Sequence, residues 1–144
     1  MTNYRPITII SSFAKIFEKC LNKRLWSFLD KNSLISKNQF GFQKGFGTEQ
    51  PLQILTSQIL DSFNNNRKDI AIFLDLQKAF DTVTHCKLLL KLESIGIRGN
   101  VLALFDNYLS DRYRRVRICQ ETSYAKIVRL GVPQGTVLGP TLFL

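Results

Sequence analysis

Hydrophobic and polar positions follow several distinct rhythms along the chain. Between residues 12 and 30, Phe13, Ile16, Phe17, Cys20, Leu21, Leu25, Phe28 and Leu29 recur at helical spacing. This predicts a long helix with those side chains buried, capped by Ser11 or Ser12 and lacking a capping-box acid. A second helix is predicted with Thr48 as its cap, admitting Pro51 only because it lies in the first turn. Leu52, Leu55, Ile59 and Phe63 give it one apolar face, and Asn64-Asn65-Asn66 ends it at the clearest internal boundary. Ahead of both helices, residues 4–10 (YRPITII) read as a strand, because Pro6 excludes a helix interior and the β-branched run favours extended backbone.

The second half changes period. Residues 70–76 (IAIFLDL) are apolar on both faces, the pattern of a central strand covered on both sides, with one carboxylate, Asp75, near its end. Helices are predicted at about 85–95, closed by Gly96, and at about 100–110. Tyr113–Cys119 and Ala125–Leu130 read as a hairpin with Glu121-Thr122-Ser123 in the connection. A turn, Gly131-Val132-Pro133-Gln134-Gly135, then leads into an apolar helix from Val137 that reaches Leu144 without a cap. The expectation is an α+β chain that has been cut rather than finished.

Composition narrows the class. At 144 residues, with 44% hydrophobic and 22% charged positions, the chain suits a single globular domain and excludes disorder. No unbroken apolar run exceeds five residues, as in Ile70–Leu74, and no signal-peptide pattern opens the chain. The expected setting is intracellular, in cytoplasm and nucleus, with no membrane partner. The net charge of +9 is spread unevenly: +5 over residues 1–50, +1 over 51–100 and +3 over 101–144. Lys15, Lys19 and Lys23 stack at i, i+4, and Arg112, Arg114, Arg115 and Arg117 cluster later. Such stripes suit either phosphate contact or a solvated basic surface. Cys20, Cys86 and Cys119 are odd in number and far apart, which suggests reduced core residues. His85 has no ligand-spaced neighbour apart from Cys86 and receives no chemical role.

Asp75 is the residue with the most pointed chemistry. A carboxylate at the end of a buried strand is costly unless paired, hydrogen-bonded or bound to metal. Lys78 is one available partner, the backbone of the following turn another, and Asp81 suits the cap of the next helix.

Four segments carry a resemblance. YRPI at 4–7, QFGFQKG at 39–45, FLDLQKAFD at 73–81 and GVPQGTVLGP at 131–140 stand in the order and at the distances found in the reverse transcriptase of non-LTR (LINE-like) retrotransposons. The chain resembles that family over nearly its whole length. The resemblance implies a right-hand polymerase, with fingers in residues 1–66 and the N-terminal half of the palm in 67–144. It implies Asp75 as catalytic residue and metal ligand, the Leu76 carbonyl as a second ligand, and two Mg²⁺ (or Mn²⁺) ions in the complete enzyme. Arg5, Lys78, Ala79, Phe80, Gln134 and Gly135 would face the incoming dNTP, Phe80 as the gate against a ribose 2′-hydroxyl. Lys15, Lys19, Lys23, Gln43, Lys44, Arg114 and Arg115 would face the RNA template and DNA primer.

Some family parts are not in this sequence. Gln43 stands where an arginine is common, and Phe46-Gly47 where a polar or small pair is common. No aromatic-x-Asp-Asp box and no thumb follow, so truncation before them is expected, and the chain alone is expected to be inactive. The other readings are a group II intron maturase-type reverse transcriptase and a non-catalytic RNA-binding remnant of a degenerate retroelement.

Overall fold

The computed structural model describes residues 7–144, so Arg5 and most of the YRPI segment lie outside the described residues. Helix α1 (Ser12–Lys31) opens at Ser11, whose hydroxyl accepts the Ala14 N–H at 3.2 Å and satisfies one of the unpaired donors of the first turn. Its buried face is narrower than the periodicity predicts. Leu25 and Leu29 enter the core and Leu21 and Phe28 flank it, whereas Phe13 is 86% exposed and Ile16, Phe17 and Cys20 also face solvent. Leu92, Ile97, Phe105 and Leu109 join Leu25 and Leu29 in one cluster, so the apolar partners of α1 meet its C-terminal half. The deeply buried residue of the N-terminal half is instead a charged one, Glu18.

Helix α2 (Glu49–Asn64) starts and stops where the sequence places it, with Thr48 and Asn65 at its ends, although the Thr48 side chain makes no capping hydrogen bond. Its expected apolar face is not a core face. Leu52, Ile59 and Phe63 are exposed, and the buried position is Ser62, hydrogen-bonded to Asp69. No described element packs broadly against α2, which leaves that face nothing to bury into.

The central strand is the largest correction. Residues 70–76 form no strand among the described residues, and Ile70 and Leu74 are 90% and 92% exposed. A strand needs a neighbour to take its N–H and C=O groups, and no described segment forms a ladder with this one. Residues 7–10 likewise carry no strand, although Thr8 donates its N–H to the Gln134 carbonyl at 2.9 Å.

Helices α3 (His85–Ser94) and α4 (Gly99–Leu109) match expectation within a residue or two and pack on each other. Gly96, at φ +102°, provides the left-handed residue that ends α3. The hairpin also exists, but its turn is displaced. Strand β1 (Tyr113–Arg114) pairs with β4 (Lys126–Ile127), and β2 (Arg117–Ile118) pairs with β3 (Glu121–Thr122). Glu121 and Thr122 therefore belong to the ladder, and the reversal falls at Cys119-Gln120, with Cys119 at φ +54°. Helix α5 (Gly139–Phe143) begins two residues later than predicted. All three cysteines are unpaired and exposed, so the expectation of core thiols does not hold.

The core comprises the C-terminal half of α1, the α3–α4 pair and the segment from Val132 to Leu142. Leu109 is fully buried within it. Leu109→Ala is expected to lower the unfolding free energy by about 2–5 kcal/mol, and Phe13→Ala by under about 0.5 kcal/mol. Urea unfolding followed by Trp26 fluorescence measures both. A large loss at Phe13 would show that the N-terminal half of α1 is packed after all.

Candidate functional site

The segments that sequence reading singled out meet at a backbone junction. After Asp75 the chain turns through Lys78, held in the left-handed region at φ +52°, into a 3₁₀ turn, Ala79–Asp81. The end of that turn is bonded to the 131–135 loop. Val132 donates its N–H to the Phe80 carbonyl at 2.8 Å, and Gly131 donates to the Val83 carbonyl at 2.7 Å. Thr84 and Leu130 form an antiparallel bridge beside them. His85 completes the joint, its Nε2 lying 2.8 Å from the Gly131 carbonyl oxygen. The histidine thus has a structural contact that its sequence neighbours do not reveal.

Gly131 is what lets the two segments approach. A Cβ there would lie 2.9 Å from both the Asp81 Cα and the Phe80 carbonyl oxygen, and its φ is +88°. Backbone on both sides of the contact leaves no flexible side chain to move aside. Gly135, at φ +83°, lies against Ile7 and Thr8, so the 131–135 loop also touches the start of the described chain. Within the loop, Thr136 donates its hydroxyl to the Pro133 carbonyl at 3.0 Å, while the Gly139 N–H donates to the same hydroxyl oxygen at 3.1 Å.

Phe80 joins a third segment to this pair. Its ring stacks on Phe143 at 4.6 Å and meets Phe42 edge-on at 5.7 Å. Phe42 belongs to the loop Gln39–Gly47, in which the Gln43 side-chain amide donates to the Gln39 carbonyl and Phe40 packs edge-on against Phe46. Offset and edge-on aromatic pairs add about 0.5–1.5 kcal/mol beyond their buried area. The loop at 39–45, the turn after Asp75 and the loop at 131–135 are therefore in direct contact.

The predicted site residues divide by burial. Ala79, Phe80 and Gln134 are half-buried at the junction, while Asp75, Leu76 and Lys78 are exposed. Asp75 does not pair with Lys78, since the one ion pair among the described residues joins Arg114 and Asp81 at 3.9 Å. Both of those side chains are partly solvated, so the pair adds little stability. Asp81 does not cap α3; that position belongs to Thr84. Lys15, Lys19, Lys23, Lys44 and Arg115 are exposed, whereas Arg112 lies 4.9 Å over the Tyr108 ring. For a divalent cation, Asp75 offers one carboxylate and Leu76 one carbonyl, against the six oxygens a Mg²⁺ ion takes. No group of three His, Cys, Asp or Glu side chains that could hold a metal occurs among the described residues. These residues do not complete a cation site on their own.

Sequence reading missed a polar stripe on α1. Glu18, Asn22 and Trp26 lie at i, i+4 and i+8 and bind the segment that follows Gly135. Trp26 donates its indole N–H to the Thr141 hydroxyl at 2.9 Å, and that hydroxyl donates to the Asn22 amide oxygen at 2.6 Å. The spacing was present in the sequence, but it was hidden among flanking lysines that suggest a solvated face.

Comparison with known proteins decides the family. The profile described as "Reverse transcriptase (RNA-dependent DNA polymerase)" matches residues 1–144. The chain belongs to the reverse transcriptase family. It is 36% identical over 141 residues to the probable RNA-directed DNA polymerase from transposon BS of Drosophila melanogaster, a match covering 98% of this chain and 16% of that protein. It is 35% identical to the RNA-directed DNA polymerase from mobile element jockey of the same species, covering 98% of this chain and 15% of that one. The Pol polyprotein from type-1 retrotransposable element R2 of Popillia japonica is 31% identical, with 99% and 20% covered. These are retroelement polymerases of the non-LTR kind that the motifs resemble. The reverse transcriptase chain spans between 15% and 20% of the length of these relatives. No solved structure matches it.

The junction makes a sharp prediction. Gly131→Ala places a methyl group against the Phe80 and Asp81 backbone at positive φ. It should cost about 1–3 kcal/mol or more in urea unfolding. Gly45→Ala, where a Cβ meets nothing within 4 Å, should cost less although its φ is also positive. Equal losses at the two glycines would show that backbone conformation, not the contact, sets the requirement.

Proposed function

We propose that this chain supplies the fingers (residues 1–66) and the N-terminal part of the palm (residues 67–144) of a polymerase that adds dNTPs to a primer 3′-hydroxyl on an RNA template. The supporting observation is the meeting of three family segments at one junction, Phe42 on Phe80 and Phe80 on Val132, with the Thr8 N–H donating to the Gln134 carbonyl beside them. These residues are far apart in sequence and converge without being asked to by any local pattern.

In this reading Phe80 lies under the sugar of the incoming nucleotide. A gate must not yield, and stacking on Phe143 together with the edge-on Phe42 holds the ring from two sides. Gln134 and Gly135 lie beside the nascent base pair, where the glycine leaves the backbone open to close approach. Lys78 and Ala79 face the triphosphate together with Arg5, whose planar guanidinium suits two phosphate oxygens. Lys15, Lys19, Lys23, Gln43, Lys44, Arg114 and Arg115 contact the template and primer backbone.

Asp75 is the carboxylate that this chain contributes to a Mg²⁺ or Mn²⁺ centre, with the Leu76 carbonyl beside it. Bound there, paired ions would activate the primer hydroxyl and stabilise the departing pyrophosphate. The described residues supply neither further carboxylate ligands nor a strand that pairs with the exposed segment 70–76. The relatives are several times longer than this chain, which leaves room for both. The 144 residues alone are then inactive, because electrostatic positioning supplies most of the catalysis in phosphoryl transfer.

A chimera tests the reading. When these residues replace the matching segment of the jockey polymerase, the product should extend oligo(dT) on poly(rA). Asp75→Asn should reduce that extension by about a hundredfold or more. Full activity of the Asp75→Asn chimera would remove Asp75 from the chemistry, and extension by residues 1–144 alone would refute their inactivity. Binding gives a separate check. Affinity of the chain for poly(rA)·oligo(dT) should fall steeply between 50 and 200 mM salt, values on the order of those that expose phosphate contacts, and Lys19→Glu should weaken it. A flat salt response would return the lysine stripe to solvent.

A further inference from the structure

Glu18 is the charged side chain that the polymerase reading leaves without a role. It is 2% exposed, and its two oxygens accept three hydrogen bonds, one from α4 and two from the backbone that follows Gly135. Oε1 accepts the Tyr108 hydroxyl of α4 at 2.8 Å, while Oε2 accepts the Val137 N–H at 2.8 Å and the Leu138 N–H at 3.3 Å. No cation pairs with it among the described residues. A buried carboxylate is tolerated at this depth only because its lone pairs are met by donors, and here two of the three donors are backbone.

We propose that Glu18 is a positioning residue that fixes the Gln134-Gly135 loop by gripping the backbone immediately after it. Beyond the Thr136 hydroxyl on the Pro133 carbonyl, the loop has few anchors of its own. Pro133 lacks an N–H, Gly135 is at positive φ, and Gln134 is held through the Thr8 N–H on its carbonyl. On the upstream side, Gly131 and Val132 are pinned to Val83 and Phe80. On the downstream side the grip is Glu18 on Val137 and Leu138, reinforced by Asn22 and Trp26 through Thr141. Gln134 and Gly135 therefore lie on a span clamped at both ends. Removing the downstream clamp should let that span move while the core stays folded. The consequence for nucleotide contact rests on the proposed role of Gln134 and Gly135, whereas the clamp itself does not.

Amide hydrogen exchange on the full chain tests the clamp without nucleotide. Glu18→Ala should speed exchange at Val137 and Leu138 by about tenfold or more, as expected for loss of bonds to a charged acceptor, with Leu92 in α3 unchanged. Glu18→Gln keeps one carbonyl oxygen for the two amides and should restore most of the protection. Tyr108 gives a second readout. Burial, the bond it donates to Glu18 and that carboxylate's charge push its hydroxyl above 10.0, against the lowering effects of Arg112 and Thr136. In Glu18→Gln the Tyr108 phenolate transition should therefore fall to lower pH, a shift that general loosening by a distant substitution such as Leu92→Ala would not reproduce selectively. Unchanged exchange at Val137 and Leu138 in Glu18→Ala, or equal acceleration at Leu92, overturns the proposal. A jockey chimera that failed to extend oligo(dT) on poly(rA) would count against the polymerase reading, and the exchange result would stand apart from it.

Discussion

The contact of Gly131 with the Phe80-Asp81 backbone is the constraint on which the remaining geometry depends. Two loops cross so closely that their main chains touch, and the hydrogen bonds from Gly131 and Val132 lock them in register. Phe80, Gln134 and Gly135, three of the residues proposed to face the nucleotide, hang from this crossing. Phe80 lies in the crossing itself on one segment, and Gln134 and Gly135 follow Gly131 by three and four residues on the other. The relation between the two is set by main-chain geometry, which varies far less than side-chain rotamers do.

Around this crossing, stability and placement come from different sources. Val132, Leu138 and Leu142 sink into the core with Leu25, Leu29, Phe105 and Leu109. Apolar burial of this kind is strong but non-directional. Direction comes from the polar stripe on α1, where Glu18, Asn22 and Trp26 bond to particular groups on the 137–141 segment. One helix thus contributes bulk through its C-terminal leucines and orientation through a polar line running beside them.

What the sequence made legible follows the same division. Helix existence was readable wherever a cap or breaker was local: Ser11, Thr48, Asn65 and Gly96 all stand where the pattern puts them. Burial was not, because periodicity shows that a helix has an apolar face and not that anything covers it. Phe13 and Phe63 have the right spacing and remain exposed. The hairpin turn moved because Glu121 and Thr122 look like loop residues, yet their backbones pair with Arg117 and Ile118. At the site, the segments were found by resemblance, since no local pattern brings Phe42, Phe80 and Val132 together. Glu18 was overlooked because a glutamate beside lysines ordinarily faces water.

Segment 70–76 shows how the same reasoning can describe a pattern correctly and its setting wrongly. Ile70, Ile72 and Leu74 point one way by strand period and Phe73 and the Asp75 carboxylate the other, so the sequence is composed for cover on both faces. In these residues the segment is open, and Asp75 is open with it. The two halves of the candidate site consequently differ in kind. The half built from Phe80 and the 131–135 loop is fixed by bonds within the chain, and the half built on Asp75 is a carboxylate awaiting its surroundings. A nucleotide-facing surface can be held by the first alone; the metal role proposed for Asp75 requires the second to be enclosed. Enclosure is a matter of strand pairing along 70–76, because a strand paired there would hold the Asp75 side chain in the fixed position that a hard cation demands of its ligands.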